Sequence, residues 1–252
     1  MFLLLSNDDG YLSPGLTLMA DVLRKEVERL AIMAPDRNCS AASHCLTLSR
    51  PLSVYAHGQE VYSVDGTPAD CVYLATSGYF DCIPDMVISG INRGANLGND
   101  VIYSGTVAAA FEGRYLSMPA IAVSNISENP KYFADSALII RDILRHILKY
   151  PLSKKIFLNI NIPDLPYKDI KGFKITTLGH RGPALPAIEV QNPRGQKMFW
   201  VGRFSAAEKQ HSSTDMAVVT DGYVSITPLQ FNLTHYQQLE PIEHWLKGIS
   251  HD

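Results

Sequence analysis

Cysteine is scarce in this sequence. Only Cys39, Cys45, Cys71 and Cys82 occur among 252 residues, and no two of them form a C-x-x-C pair. That spacing offers neither a zinc knuckle nor a thiol-redox motif. Long apolar runs are missing too, so no segment reads as a bilayer-spanning helix. The opening Met1-Phe2-Leu3-Leu4-Leu5 is too short for the apolar stretch of a secretion signal, and it lacks a basic start. The expectation is a cytoplasmic protein with reduced cysteines and no membrane partner. Charge of either sign is nearly balanced: 22 Lys and Arg against 25 Asp and Glu leave a net charge of -3. A protein that coats nucleic acid gains affinity by neutralising many phosphates, and no cationic surplus is available here. A substrate with a single phosphate is not excluded. Several catalytic signatures are absent as well: the P-loop, G-x-G-x-x-G, H-E-x-x-H, and a G-x-S-x-G elbow around Ser104.

What is present is ordinary globular material, 46% hydrophobic and 19% charged, enough for one large core. Phe2 to Ser6 is a continuous apolar run, the pattern of a strand buried on both faces. Ser13-Pro14 supplies an N-cap and a proline at the first helical position, and Leu16, Met19, Ala20, Leu23 and Val27 follow at helical spacing. Further strands are expected at 30–34, 86–89, 120–124, 156–160 and 223–227. Helices are expected from Thr67-Pro68, from Ser104-Gly105 to about 116, over 132–150 and over 234–249. The order β-α-β-α implies a doubly wound, Rossmann-like three-layer α/β/α core with a mainly parallel sheet. After about Gly179 prolines multiply, and 188–190 with 197–201 read as a hairpin around Pro193-Arg194-Gly195. The expected organisation is a single domain over 1–252. Residues 1–180 form the catalytic core, 181–215 a protruding β-hairpin arm, and 216–252 a returning strand and C-terminal helix.

In open α/β sheets ligands bind beyond the carboxyl ends of the strands. Three polar loops stand at such ends. Ser6-Asn7-Asp8-Asp9-Gly10 reads either as a turn or as a cation site. Two adjacent carboxylates repel by about 4 kcal/mol at ~4 Å in an effective dielectric of ~20, so such a pair raises a pKa or holds a cation. Hard oxygens favour Mg²⁺, Mn²⁺ or Ca²⁺ over zinc. The second loop, 34–43, is dense in small polar residues, with Ser40 able to offer a hydroxyl to a metal or a phosphate. In the third, glycines recur at 90, 94, 98 and 105 with Asn92, Asn96 and Asn99 between them. Glycine and asparagine tolerate positive φ, so successive amides can converge on an anion. Ser104-Gly105-Thr106 then opens a helix whose first amides suit a phosphate. A cation beside a phosphate cradle is equipment for metal-assisted phosphoester hydrolysis. Of the eight histidines only His44 stands at an edge of these loops, and His180-Arg181 after a strand reads as a surface pair, with a substrate contact as the alternative. Two aspartates two positions apart, as in haloacid-dehalogenase-type phosphatases, are not found, because Gly10 occupies that place after Asp8.

These residues resemble the SurE family, divalent-metal-dependent 5′/3′-nucleotidases also called survival protein E. The resemblance rests on residues 5–10 with Pro14-Gly15, on Ala34-Pro35-Asp36-Arg37-Asn38 with Ser40, on 66–72, and above all on 89–110. Later echoes are Leu158-Asn159-Ile160-Asn161-Ile162-Pro163, Thr214-Asp215 and 221–229. The resemblance implies one divalent ion per subunit, Mg²⁺ or Mn²⁺ first and Ca²⁺ as an alternative, held by Asp8, Asp9, Ser40 and Asn92. It implies phosphate contacts from Asn96, Ser104, Gly105 and Thr106. With Asn7 beside them these make the expected substrate site, and Asp8, Asn96 and Ser104 are the expected catalytic residues. It also implies hydrolysis of nucleoside 5′- and 3′-monophosphates, with short polyphosphate as a further substrate, and assembly as a homodimer or homotetramer. One departure is Ala41, where the family's usual Ser-Gly-Ala-Ser has glycine; a positive φ there costs alanine roughly 1 kcal/mol. Two other readings use the same loops: a calcium-dependent nucleoside ribohydrolase and a non-catalytic nucleotide-binding module.

Overall fold

Phe2–Ser6 forms β1, and all five residues are buried. A strand covered on both faces belongs in the middle of a sheet. The computed structural model describes residues 1–183, 185–201 and 211–249 of the chain, and it places β1 there. The first half continues with α1 (Pro14–Leu23), β2 (Arg29–Pro35), β3 (Val54–Ala56), β4 (Val61–Val64), α2 (Pro68–Leu74), β5 (Met86–Arg93) and α3 (Gly105–Glu112). The second half adds β6 (Ala120–Asn125), α4 (Phe133–Lys149), β7 (Phe157–Ile162), β8 (Phe173–Ile175), β9 (Ile188–Gln191), β10 (Lys197–Trp200), α5 (Asp215–Thr220), β11 (Val224–Leu229) and α6 (Leu239–Leu246). Nine strands make one sheet in the order β3-β4-β2-β1-β5-β6-β7-β11-β8, and β9 and β10 pair separately. The block from β4 to β7 is parallel throughout, with antiparallel pairing at β3–β4 and β7–β11.

Helices cover both faces, as a doubly wound sheet requires. On one side Leu16, Met19 and Leu23 of α1 and Ile140 and Leu144 of α4 pack on Leu3, Leu5, Ile88 and Ile121. On the other, Val72 of α2 and Ala109 and Phe111 of α3 pack on Leu4, Met33, Val87 and Phe157. Each large side chain so buried contributes roughly 1.5–3 kcal/mol. The chain leaves β1 for β2 on one side and returns to β5 on the other. The crevice between the carboxyl ends of β1 and β5 is therefore a topological switch point, where ligands of such sheets bind.

Local capping matches the expectation at α2, where Thr67 Oγ1 accepts from the Asp70 amide at 3.1 Å and Asp70 Oδ2 accepts from the Thr67 amide at 2.8 Å. Four expectations change. The helical spacing expected to continue to Val27 ends with α1 at Leu23, where Arg24 is the C-cap. The strand expected to end at Ser89 runs on to Arg93, because a register shift between Ser89 and Asn92 lets it keep pairing with β6. The helix expected to reach 116 stops at Glu112, and a 3₁₀ turn, Gly113–Tyr115, follows. The terminal helix expected over 234–249 shrinks to α6, since Pro241 lacks an N–H and fits only in a first turn. β3, β4, β8 and α5 are three to six residues long and lacked a readable period. The hairpin is present as β9 and β10; of the arm expected over 181–215, residue 184 and residues 202–210 lie outside the described residues, as do 250–252 of the last segment. No helix among the described residues is long and apolar enough to cross a membrane.

The start of α1 abuts β5 so closely that a Cβ on Gly15 would lie 2.1 Å from the Ile91 carbonyl oxygen. Backbone cannot yield as a side chain can. Gly15→Ala should therefore cost about 1–3 kcal/mol in urea unfolding; an unchanged midpoint would show that α1 is not seated there.

Candidate active site

The three polar loops meet over the β1/β5 crevice, held by bonds between them. The Cys39 amide donates to the Asp8 carbonyl at 2.7 Å, tying the second loop to the first. Asn38 Nδ2 reaches Asp9 Oδ1 at 3.4 Å, and the Arg93 amide donates to Asp9 Oδ2 at 3.2 Å. Ser43 Oγ donates to the Ile102 carbonyl at 2.8 Å and joins the second loop to the third. The shortest link is Thr106 Oγ1 donating to Asp8 Oδ1 at 2.5 Å, which fixes the start of α3 on the carboxylate. Gly105 makes that approach feasible, since a Cβ there would stand 2.8 Å from Asp8 Cβ and 3.0 Å from Asp8 Oδ2.

Each expected residue can now be placed. Asp8 is buried, at 4% exposure, and Asp9 is half-buried beside it. Ser40 is exposed, its hydroxyl donating to Asn38 Oδ1 at 2.6 Å, which leaves the oxygen lone pairs free to face a cation. Asn92 stands at the end of β5 rather than in a loop, and its Nδ2 donates to the Gly94 carbonyl at 2.8 Å, which leaves its own carbonyl oxygen available. Ser104 is the N-cap of α3, its hydroxyl accepting from the Val107 amide at 3.1 Å and keeping its proton to donate. Thr106 is engaged with Asp8. Asn7 turns into its own loop, bonding the Gly10 carbonyl at 3.0 Å and Ser13 Oγ at 2.6 Å, so its amide holds the turn that presents Asp8 and Asp9. Ala41 has φ of 61°, the left-handed conformation expected of a glycine position.

The sequence reading assigned no role to the groups that hold the third loop. Asn96 is bonded by Ser124, Asn159 and Asn161 from β6 and β7. Buried Asp215 accepts from the amides of Gly98 and Gly179, both at 2.8 Å. Their signal was weak: Ser124, Asn159 and Asn161 are isolated polar residues in apolar strands, and Asp215 opens the short α5. His44 pairs with Glu112 at 2.5 Å and Arg181 with Asp100 at 2.7 Å. None of the four cysteines is in a disulfide.

Electrostatically the site is short of positive charge. Burial pushes the Asp8 carboxyl up to about 6, the bond from Thr106 opposes this, and the neighbouring Asp9 charge adds to the rise. Asp9 is raised by burial and held down by the Arg93 amide and guanidinium. Among the described residues no group of three or more His, Cys, Asp or Glu could hold a metal. Two carboxylates with a hydroxyl and an amide oxygen are what this site offers. That is a hard-cation donor set, and a buried, acid-strained Asp8 fits a site that receives a cation. A cavity of about 160 Å³ opens beside Asp9, lined also by Asn38, Arg93 and Phe133. A cavity of about 530 Å³ lies elsewhere, apolar and bounded by α4, β7, β8 and β11, with none of these groups in its walls.

The folded carboxyl of Asp8 titrates near 6 against an ordinary value of 3.8. Across that window the folded state keeps a proton that the unfolded state has released, so stability falls as pH rises. Metal-free wild type should lose about 2 kcal/mol more than Asp8→Asn between about pH 4.5 and about pH 7. Urea unfolding in a chelator checks this; equal losses would show that Asp8 is not strained.

Comparison with known proteins places the chain in a family. The family model described as Survival protein SurE matches residues 3–184. A protein of Dichelobacter nodosus named 5′-nucleotidase SurE is 54% identical over 99% of this chain and 100% of its own. One of the same name from Alkalilimnicola ehrlichii is 45% identical over 99% and 96%. Among solved structures, the SurE protein from Aquifex aeolicus superposes with a TM-score of 0.84 at 40% identity, covering 97% of this chain and 99% of its own. Matched along most of its length in both sequence and fold, the chain belongs to the SurE family.

Proposed function

We propose that this chain hydrolyses nucleoside 5′-monophosphates to nucleoside and inorganic phosphate. Nucleoside 3′-monophosphates and short polyphosphate present the same terminal phosphoryl group and belong to the same reading. Relatives named 5′-nucleotidases support it. The observation that carries it in this chain is the bond from Thr106 to Asp8, which puts a strained carboxylate pair against the open start of a helix. One divalent cation, Mg²⁺ or Mn²⁺ first and Ca²⁺ as the alternative, would be held by Asp8, Asp9, Ser40 and Asn92; when bound it neutralises developing charge and acidifies water.

The chain's own residues do the rest. Ser104 and the first amides of α3 donate to the phosphoryl oxygens, where negative charge grows in the transition state. Asn96 Nδ2 has one proton on Ser124 and a second left for the same task. Thr106 holds one oxygen of Asp8 so that the other faces the attacking water and takes its proton. Water adds to phosphorus, the bond to the nucleoside oxygen breaks, and that oxygen leaves with a proton from solvent.

The reading extends to self-association. Ile242, Trp245 and Leu246 of α6 and Phe199 and Trp200 of β10 are all at least 50% exposed, an apolar surface that a monomer rarely leaves bare. We place homodimer or homotetramer contacts there.

Paired assays for phosphate and for free base, with Mg²⁺, Mn²⁺ and Ca²⁺ in turn, test the activity. Metal-dependent phosphate from nucleoside monophosphates is expected; metal-dependent free base would mark a ribohydrolase, and neither product a binding module. Asp8→Asn should lower kcat more than tenfold, about 1.4 kcal/mol in barrier, with far-UV circular dichroism unchanged. Light scattering should find wild type larger than a monomer, with deletion of 186–201 or Trp245→Glu reducing the mass; a monomeric wild type removes the assembly reading.

A further inference from the structure

The sheet face beneath α3 changes chemistry along its strands. Near their starts it carries Phe2, Leu4, Val87, Ala120 and Phe157, which are core. Towards the carboxyl ends the same alternation brings up Ser6, Ser89, Ser124, Asn159 and Asn161, every one at 0% exposure. Register sets them side by side, with Ser6 against Ser89 and Ser124 against Asn161. Asparagine is a poor choice for a buried strand, because its amide must find partners there. Both asparagines find them in one residue. Asn161 Oδ1 accepts from the Asn96 amide at 2.9 Å, and its Nδ2 donates to the Asn96 carbonyl at 2.9 Å. Asn159 Nδ2 donates to the same carbonyl at 2.8 Å. Ser124 Oγ accepts from Asn96 Nδ2 at 2.7 Å, so the main chain and the side chain are both held.

We infer that Asn159 and Asn161 are positioning residues for phosphate recognition. They touch neither phosphate nor cation; they fix the Asn96 peptide and so aim the glycine-rich loop between β5 and α3. The inference rests on the reading of the site given under Proposed function. The loop needs such a bracket, since Gly94 and Gly98 have φ of 110° and 56° and bring backbone freedom to both sides of Asn96. A donor contributes to catalysis only when it is already aimed before charge develops. Asn159 carries a further sign of this task. Its Oδ1 is buried without a hydrogen-bond partner among the described residues, an expense that an apolar residue at the same strand position would avoid. The part of the Asn159 amide that finds a partner is its donor, and that donor goes to the loop.

The test compares full-length wild type with Asn159→Ala, Asn161→Ala and Asn161→Asp, the last keeping the acceptor for the Asn96 amide but losing the donor to its carbonyl. Calorimetric titrations with Mn²⁺ alone, and with inorganic phosphate in saturating Mn²⁺, accompany kcat and KM for a nucleoside 5′-monophosphate. Asn161→Ala should lower kcat roughly 30-fold or more and weaken phosphate binding about tenfold, as expected for misaimed donors. Its Mn²⁺ affinity should stay within about threefold of wild type, because the ligands lie outside the bracket. Asn159→Ala and Asn161→Asp should show the same pattern with smaller changes. Folded variants with wild-type phosphate affinity overturn the inference, as does an equal loss of Mn²⁺ and phosphate affinity, which would mark general loosening. If Asn161→Ala yields no folded protein, Asn159→Ala decides by the same criteria. A wild type that releases no phosphate from nucleotides overturns the functional reading instead, while the phosphate titrations still decide the bracket.

Discussion

The contact between Asp8 and the start of α3 is the constraint on which the rest of the site depends. A carboxylate buried to 4% exposure is costly to keep charged, and the Thr106 hydroxyl at 2.5 Å is the main relief the protein itself supplies. Relief is partial, and the carboxyl titrates near 6. The same contact sets the depth at which α3 sits, because only a residue without Cβ can pass Asp8 as Gly105 does. The proposed cation position and the proposed phosphate cradle thereby share one hydrogen bond. If α3 moved, both would be lost together.

The fold is arranged to deliver that contact. β1 is central, so Asp8 and Asp9 leave a strand that cannot shift without disturbing both helical layers. β5 passes its bulge and carries Asn92 to the other side of the crevice. The third loop, rich in glycine, has little conformational preference of its own, and buried polar groups from neighbouring strands restrain it: Asn159 and Asn161 at Asn96, and Asp215 at Gly98. A nearly neutral net charge of -3 is consistent with the proposed arrangement, in which a cation and backbone amides rather than lysines would provide the positive field.

Elements with a strong local signal were legible in the sequence to within a residue or so. β1, α2, α4 and β6 belong to this class, each marked by an apolar run, a cap followed by proline, or a 3.6-residue period. Asp8, Asp9, Ser104 and Gly105 were legible as well, since adjacent acids and a serine-capped glycine at a helix start are local patterns. The edge strands β3 and β8 were not: three residues carry no period, and pairing with a neighbour makes them strands. Asn92 looked like loop because Gly90 breaks the alternation, yet the backbone resumes its pairing two residues later. The tasks of Asn7 and Thr106 also went unseen, because each depends on where its hydrogen bond ends.

The sequence by itself determined the α/β class, the place of the three polar loops after strands and the chemistry those loops could support, because capping, alternation and side-chain type act over a few residues. Only the tertiary structure decided which oxygen meets which donor. Asp8 lies 98 residues from Thr106 and Asn161 lies 65 from Asn96, so those bonds exist only once the sheet has set its strand order and register. Hydrogen bonds act over about 3 Å, and no spacing along the chain encodes that distance.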